Sequence, residues 1–311
     1  MPLFHRKTDE ERQQEETQRA HFQQEQVDQQ ASLDALARGS IPVQAQRRLE
    51  ECRRRPGFFT SDLSVNEFLL ARQSGFEPIS QVMGSSIYHV GWQRMPVYSY
   101  SRELEVITRA LNHARVLALG RLAEEAQRVG AHAVIGVHVT RADYEFAGDL
   151  IEFNTVGTAV RLRDEPAPRG LALTNLSGQD FWKLHQSGYW PAGVVGASTV
   201  YYVVATWMQQ MSTSWWGGGY ANQELQDFTQ GLYTARHIAM NALHRQAAQL
   251  GAHGIVGMEI EQEEEEYEVD LGNDRERTDM IFTFHAMGTA IAAASEQPKV
   301  PPVYALLNLK S

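Results

Sequence analysis

Two histidines stand in almost the same eight residues, GAHAVIGV at 130–137 and GAHGIVGM at 251–258, 121 positions apart. Imidazole ligates metals and changes charge near neutral pH, so His132 and His253 are the first candidates for chemistry. A metal site needs more ligands than one. His138 shares a strand face with His132, but six residues at about 3.3 Å rise put the two roughly 20 Å apart. An ordinary zinc site gathers three or four ligands within about 2.3 Å, so the rest would come from a neighbouring strand or subunit, Glu152 for instance. The competing reading is structural: each histidine follows a glycine suited to a helix end, where a polar side chain bonds a loose helix carbonyl.

Other stretches invite the same double reading. EIEQEEEEYEVD (259–270) packs eight acids into twelve residues but lacks the spaced Asp/Asn series and glycine of an EF-hand loop. A solvated acidic loop around Glu263, Glu264, Glu265 and Glu266 is expected, with a weak cation site or a dock for a basic partner as the alternative. TWMQQMSTSWWGGGYANQ (206–223) combines three tryptophans, two methionines and three consecutive glycines. Trp207, Trp215 and Trp216 are interface candidates, between subunits or with another protein, set against simple packing on the adjacent long helix. RRLEECRRR (47–55) holds five arginines that suit the C-terminal dipole of a helix starting after Pro42. GxSxG, HExxH, SxxK and Walker patterns are absent, and the paired carboxylates have nothing apolar around them to raise a pKa. No enzyme is expected, and no cofactor is called for; a divalent metal is the alternative.

The whole chain bounds these readings. At 311 residues, 43% hydrophobic and 21% charged, it has room for about two cores. A net charge of −10 argues against a nucleic-acid binder, which needs a basic face. Neither a long apolar span nor a signal-like N-terminus occurs, and the single cysteine, Cys52, fits a reducing compartment. A cytoplasmic protein is the expectation.

The histidines belong to a larger duplication. LSVNEFLLARQSGFEPISQVMGSSIYHV (63–90) aligns with LSGQDFWKLHQSGYWPAGVVGASTVYYV (176–203) at an offset of 113. The stretch 103–137 aligns with 224–258 at 121, and FNTVGTAV (153–160) with FHAMGTAI (284–291) at 131. The growing offsets place two insertions in the second copy, at 205–223 and 262–279. Each copy predicts a short helix with a Ser64/Glu67 or Ser177/Asp180 cap, closed by Gly75 or Gly188. A β pair follows at 79–92 or 192–206, broken by small residues. A long helix comes next, near 102–129 in copy one, with apolar residues at steps of three and four; Gly130 or Gly251 ends it. Strands follow at 132–140 and 151–162, or 253–261 and 280–293. This order is α+β. Residues 8–31 hold almost no large apolar side chains, so they predict a charged tail, either a solvated helix or disordered until bound.

The GAx(A/G)(V/I)(I/V)G(V/M) junction, the GTA(V/I) ending and the VMGSSIYHVG stretch together resemble the YbjQ family, also called UPF0145 and named for heavy-metal binding. That resemblance implies two tandem small domains of dodecin-subunit-like fold, each a small antiparallel or mixed sheet on a long helix. It also implies assembly into five-membered rings, and no catalytic mechanism. The expected organisation is a charged helical or disordered tail (1–55), domains at 56–165 and 166–296, and a C-terminal tail (297–311). The expected function is a non-enzymatic, ring-forming homo-oligomer, a pentamer, that acts as a scaffold or binding protein. Its protein partners would engage the Trp/Gly loop, the acidic loop or the N-terminal tail, with no membrane contact. The alternatives are a metal-ion or small-ligand binder using pockets between subunits, and an enzyme with a composite interface site.

Overall fold

The computed structural model describes residues 9–55, 58–89, 98–143, 150–163, 170–205, 224–272 and 276–294. The chain divides into two compact units, residues 1–58 and 59–311.

In the first unit, α1 (Asp9–Ala37) and α2 (Val43–Arg54) are joined by a turn at Gly39. Glu and Gln favour helix, and the two helices share a small core of Ala35, Ile41 and Leu49. Pro42 at the α2 N-cap has no capping side chain. Ser32 of α1 replaces it, its Oγ accepting the Val43 N–H at 3.2 Å, which satisfies one of the loose donors of a helix start.

The second unit opens with α3 (Val65–Gln73), whose Ser64/Glu67 capping box is complete, followed by β1 (Phe76–His89) and the short β2 (Arg102–Glu103). Then come α4 (Glu105–Arg128), β3 (Ala133–Asp143), β4 (Leu150–Leu162) and β5 (Ala172–Leu173). The second copy runs α5 (Gly178–Gln186), β6 (Tyr189–Val203), α6 (Gln226–Gln249), β7 (Gly254–Asp270) and β8 (Glu276–Ala293). Two four-stranded sheets result, ordered β1-β4-β3-β5 and β2-β6-β8-β7. All pairings are antiparallel except β3 with β5. Ladder partners keep the duplication in register: Gly84 faces Thr155 as Ala197 faces Ala286. The fold is α+β, and no helix among the described residues is long and apolar enough to cross a membrane.

The long helices bury small residues, Ala114, Ala118, Leu122 and Ala126 on α4 and Ala235, Ala239, Leu243 and Ala247 on α6. This explains why, over the described residues, the expected β pairs at 79–92 and 192–206 are instead the single strands β1 and β6. Gly84 does not turn the chain; it lets α4 sit on the sheet, since a Cβ there would lie 2.1 Å from the Ala118 carbonyl oxygen. A glycine for close approach and a glycine for a turn look alike in sequence.

The acidic stretch is a second correction. Glu263, Glu264, Glu265 and Glu266 are not in a loop: β7 continues through them, paired with β8 as far as Asp270 opposite Glu276. The expected insertion at 262–279 is thus mostly a longer hairpin. Its acids stay exposed because β7 is the outer strand of its sheet, and charge on an edge strand discourages further pairing there.

Candidate functional site

The repeated octapeptide is built around backbone needs. Gly130 and Gly251 end the long helices at φ +73° and +63°, and Gly136 and Gly257 carry φ +62° and +60° at matching irregularities in the β3–β4 and β7–β8 registers. These are left-handed positions that favour glycine. Between them, His132 donates its backbone N–H to the Val160 carbonyl at 2.8 Å, and its Nδ1 accepts the Leu162 N–H at 3.2 Å. His253 repeats both contacts, with the Ile291 carbonyl at 2.8 Å and the Ala293 N–H at 3.4 Å. The side chains therefore extend the ladder of the facing strand. They do not bond the helix end as expected; in copy one, Arg161 of β4 takes the Val129 and Gly130 carbonyls instead, at 3.1 and 3.0 Å. Among the described residues, no group of three or more His, Cys, Asp or Glu is placed to hold a metal ion. Trp207, Trp215 and Trp216 lie outside the described residues.

A buried polar cluster that the fold assembles lies on the seam between the two copies. Arg115 projects from the buried stripe of α4 and is 5% exposed. Its guanidinium donates to Ser198 Oγ of β6 at 3.0 Å, to Asn112 Oδ1 at 2.7 Å, and to the Gly196 carbonyl. These partners are all neutral, and burial pushes its pKa down to about 10. Ser198 Oγ also meets His285 Nδ1 of β8 at 2.8 Å, and His285 Nε2 faces an Arg141 N–H from β3. An arginine can only donate, so Nε2 accepts and Nδ1 carries the proton toward Ser198. Burial first, then the charges of Arg141 and Arg115, drive the His285 pKa down to about 3. Arg141 also pairs with Glu263 of β7.

Arg115, Arg141, Ser198 and His285, with Val139, Phe153, Glu259, Glu261 and Met287, line a cleft with an interior of about 50 Å³. That is room for a few waters or a small ion and too little for a bulky cofactor. His285 is neutral and already holds two partners, and Ser198 has no free base beside it. The arrangement therefore orients and binds; it does not supply an activated nucleophile. The sequence held a faint signal for it. His285 and Arg141 are places where the copies differ, opposite Asn154 and Gln262 in the alignment, while Arg115 matches Arg236 and gives no signal at all.

Comparison with known proteins places these features. A family described as "Putative heavy-metal-binding", YbjQ, matches residues 99–163 and 194–294. The encapsulin nanocompartment protein Rv1762c of Mycobacterium tuberculosis is 39% identical over 206 residues, 64% of this chain and 76% of that protein. A UPF0145 protein of Thermus thermophilus is 46% identical over 66 residues, 21% of this chain and 54% of that protein. Another, from Methanothermobacter thermautotrophicus, is 33% identical over 105 residues, 31% of this chain and 87% of that protein. No solved structure matches the chain.

Proposed function

The chain belongs to the YbjQ family, UPF0145, and from that premise we propose that it is a non-enzymatic assembly and binding protein. Its two tandem YbjQ-like domains, of dodecin-subunit type, span about 56–165 and 166–296, after a charged tail, helical or disordered, at 1–55. Copies join head to tail into a ring. The observation that carries this reading is the junction already present inside one chain. There α4 of the first copy lies against β6 of the second. Leu104 N–H donates to the Val200 carbonyl at 2.8 Å, Thr108 Oγ1 accepts the Val200 N–H at 3.0 Å, and Asn112 exchanges two bonds with the Ser198 backbone. β2 then closes the outer edge of β6.

Both halves of this junction recur at the ends of the duplication without such a partner among the described residues. Tyr233 on α6 stands where Asn112 stands on α4 and is 61% exposed; Ile87 on the outer strand β1 stands where Val200 stands on β6 and is 59% exposed. A surface and its complement at opposite ends of one chain make a heterologous contact, which closes into a ring or runs on as a filament. The relative named as a nanocompartment protein supports working in association with a protein shell, as scaffold or cargo. Light scattering tests the assembly: a mass of about 175 kDa, five times the 35.0 kDa chain, is expected, and a monomer overturns the reading.

A metal-ion or small-ligand binder is the second reading, favoured by the family's name and by the cleft between the copies. Elemental analysis of the same fractions decides it. Metal near one ion per domain would support it and make His132 and His253 the first residues to replace.

A further inference from the structure

Ser198, 2% exposed, holds a proton that none of its partners takes. Its Oγ accepts from Arg115 Nη1 at 3.0 Å and from His285 Nδ1 at 2.8 Å, and a hydroxyl has two lone pairs and one O–H. With both lone pairs filled, the O–H can only donate. It bonds no acceptor among the described residues, and Ser198 lines the cleft at the seam.

The charge beside it is held in place. The Arg115 guanidinium lies over Gly196, where a Cβ would come within 3.1 Å of Nε. Its three bonds among the described residues all go to neutral oxygens, and burial alone sets its lowered pKa of about 10. It is therefore a cation at neutral pH, enclosed without a counter-charge bonded to it, which is costly in a protein interior. Arg141 adds a second guanidinium, 17% exposed, shared with Glu263 and His285. The acids that line the cleft stand at its exposed rim. Glu259 is engaged by Asn175, whose Nδ2 donates to its Oε1 at 2.9 Å, and Glu261 faces His285 across the β7–β8 ladder.

We propose that this cleft binds one small monovalent anion per chain, a halide or a planar oxyanion the size of formate, held by the Arg115 guanidinium, the Ser198 hydroxyl and Arg141. Buried N–H and O–H donors hold anions through charge-assisted bonds, whereas a metal cation would meet the two arginines. The interior of about 50 Å³ suits such an ion. The duplication repeats Arg115 and Ser198 as Arg236 and Ser85, but puts Met83 for Gly196 and Asn154 for His285, so the site occurs once per chain. The proposal rests on the second reading above, that the cleft takes a ligand, and gives that ligand its chemical class.

Urea unfolding of the full chain at constant ionic strength, with chloride replacing the bulky anion gluconate, tests the site. Chloride should raise the midpoint along a saturating curve, as a ligand of the folded state does, and formate should do the same. Ser198→Ala should raise the half-saturating concentration at least about tenfold, through loss of one hydrogen bond to a charged partner. Glu261→Gln, an exposed change at the rim, should instead lower it by about twofold. A midpoint that ignores both anions, or a half-saturation unchanged in Ser198→Ala, overturns the anion site. Saturable stabilisation by Zn²⁺ in place of the anions, weakened by Glu261→Gln, also overturns it but keeps the cleft as a ligand site; no response to either kind of ion removes both. All the donors belong to one chain, so the mass seen by light scattering stays the same throughout and the assembly reading is judged separately.

Discussion

At the scale of residues, the chemistry sits where charge is buried rather than where the sequence repeats its histidines. His285 is the clearest case. Folded, its ring stays neutral down to about pH 3 because it is buried between Arg141 and Arg115; unfolded, it protonates near 6.5. Unfolding at intermediate pH therefore takes up a proton. The stability contributed by the neutral ring is present above pH 6.5 and is lost as pH falls toward 3. Between pH 7 and pH 5 the chain should lose about 2 kcal/mol more than a His285→Asn variant in urea unfolding. Equal losses in the two would sink this account. Neither His285 nor Arg115 was legible as a site beforehand. Arg115 meets Ser198 and Gly196 of the other copy, 83 and 81 positions away, and His285 meets Ser198 of its own copy at 87 positions and Arg141 of the first copy at 144, and nothing local marks these contacts.

At the scale of elements, periodicity and caps carried most of the reading. The short helices begin at Ser64 and Ser177, each accepting the N–H three residues on, and the long helices end at glycines in the left-handed region. The failures share a cause: strand boundaries depend on what lies above the strand. Gly84 looked like a break, and α4 makes it a contact. The acidic run looked like a loop, and the ladder with β8 makes it a strand. Gly136 and Gly257 offer a matched comparison. Alanine at Gly136 has open space and should cost about 1 kcal/mol from its φ of +62° alone. Alanine at Gly257 has the same backbone burden, and its methyl would also lie 2.7 Å from Leu176 Cδ2. Denaturant unfolding should rank Gly257→Ala as the more destabilised, because Leu176 must shift; the reverse order would contradict the packing.

At the scale of the whole molecule, assembly follows from repetition. If α6 of one chain meets β1 of the next as α4 meets β6, then Ile87→Asp should reduce the mass seen by light scattering to that of a single chain. Stability should change by no more than about 0.5 kcal/mol, because Ile87 is exposed within its own chain. A variant that keeps the assembled mass would remove β1 from the contact. The sequence by itself determined that there are two copies, which helices they contain, where glycine ends those helices, and which family they resemble. All of these are written in local spacing, in offsets and in backbone conformations that single residues impose. Only the tertiary structure decided that α4 serves the second copy as well as its own, that Arg115, Ser198, His285 and Arg141 form one cluster, and that the linker covers the edge of β3. Those are relations between distant segments, set by which surfaces pack once both copies have formed, and no local pattern records them.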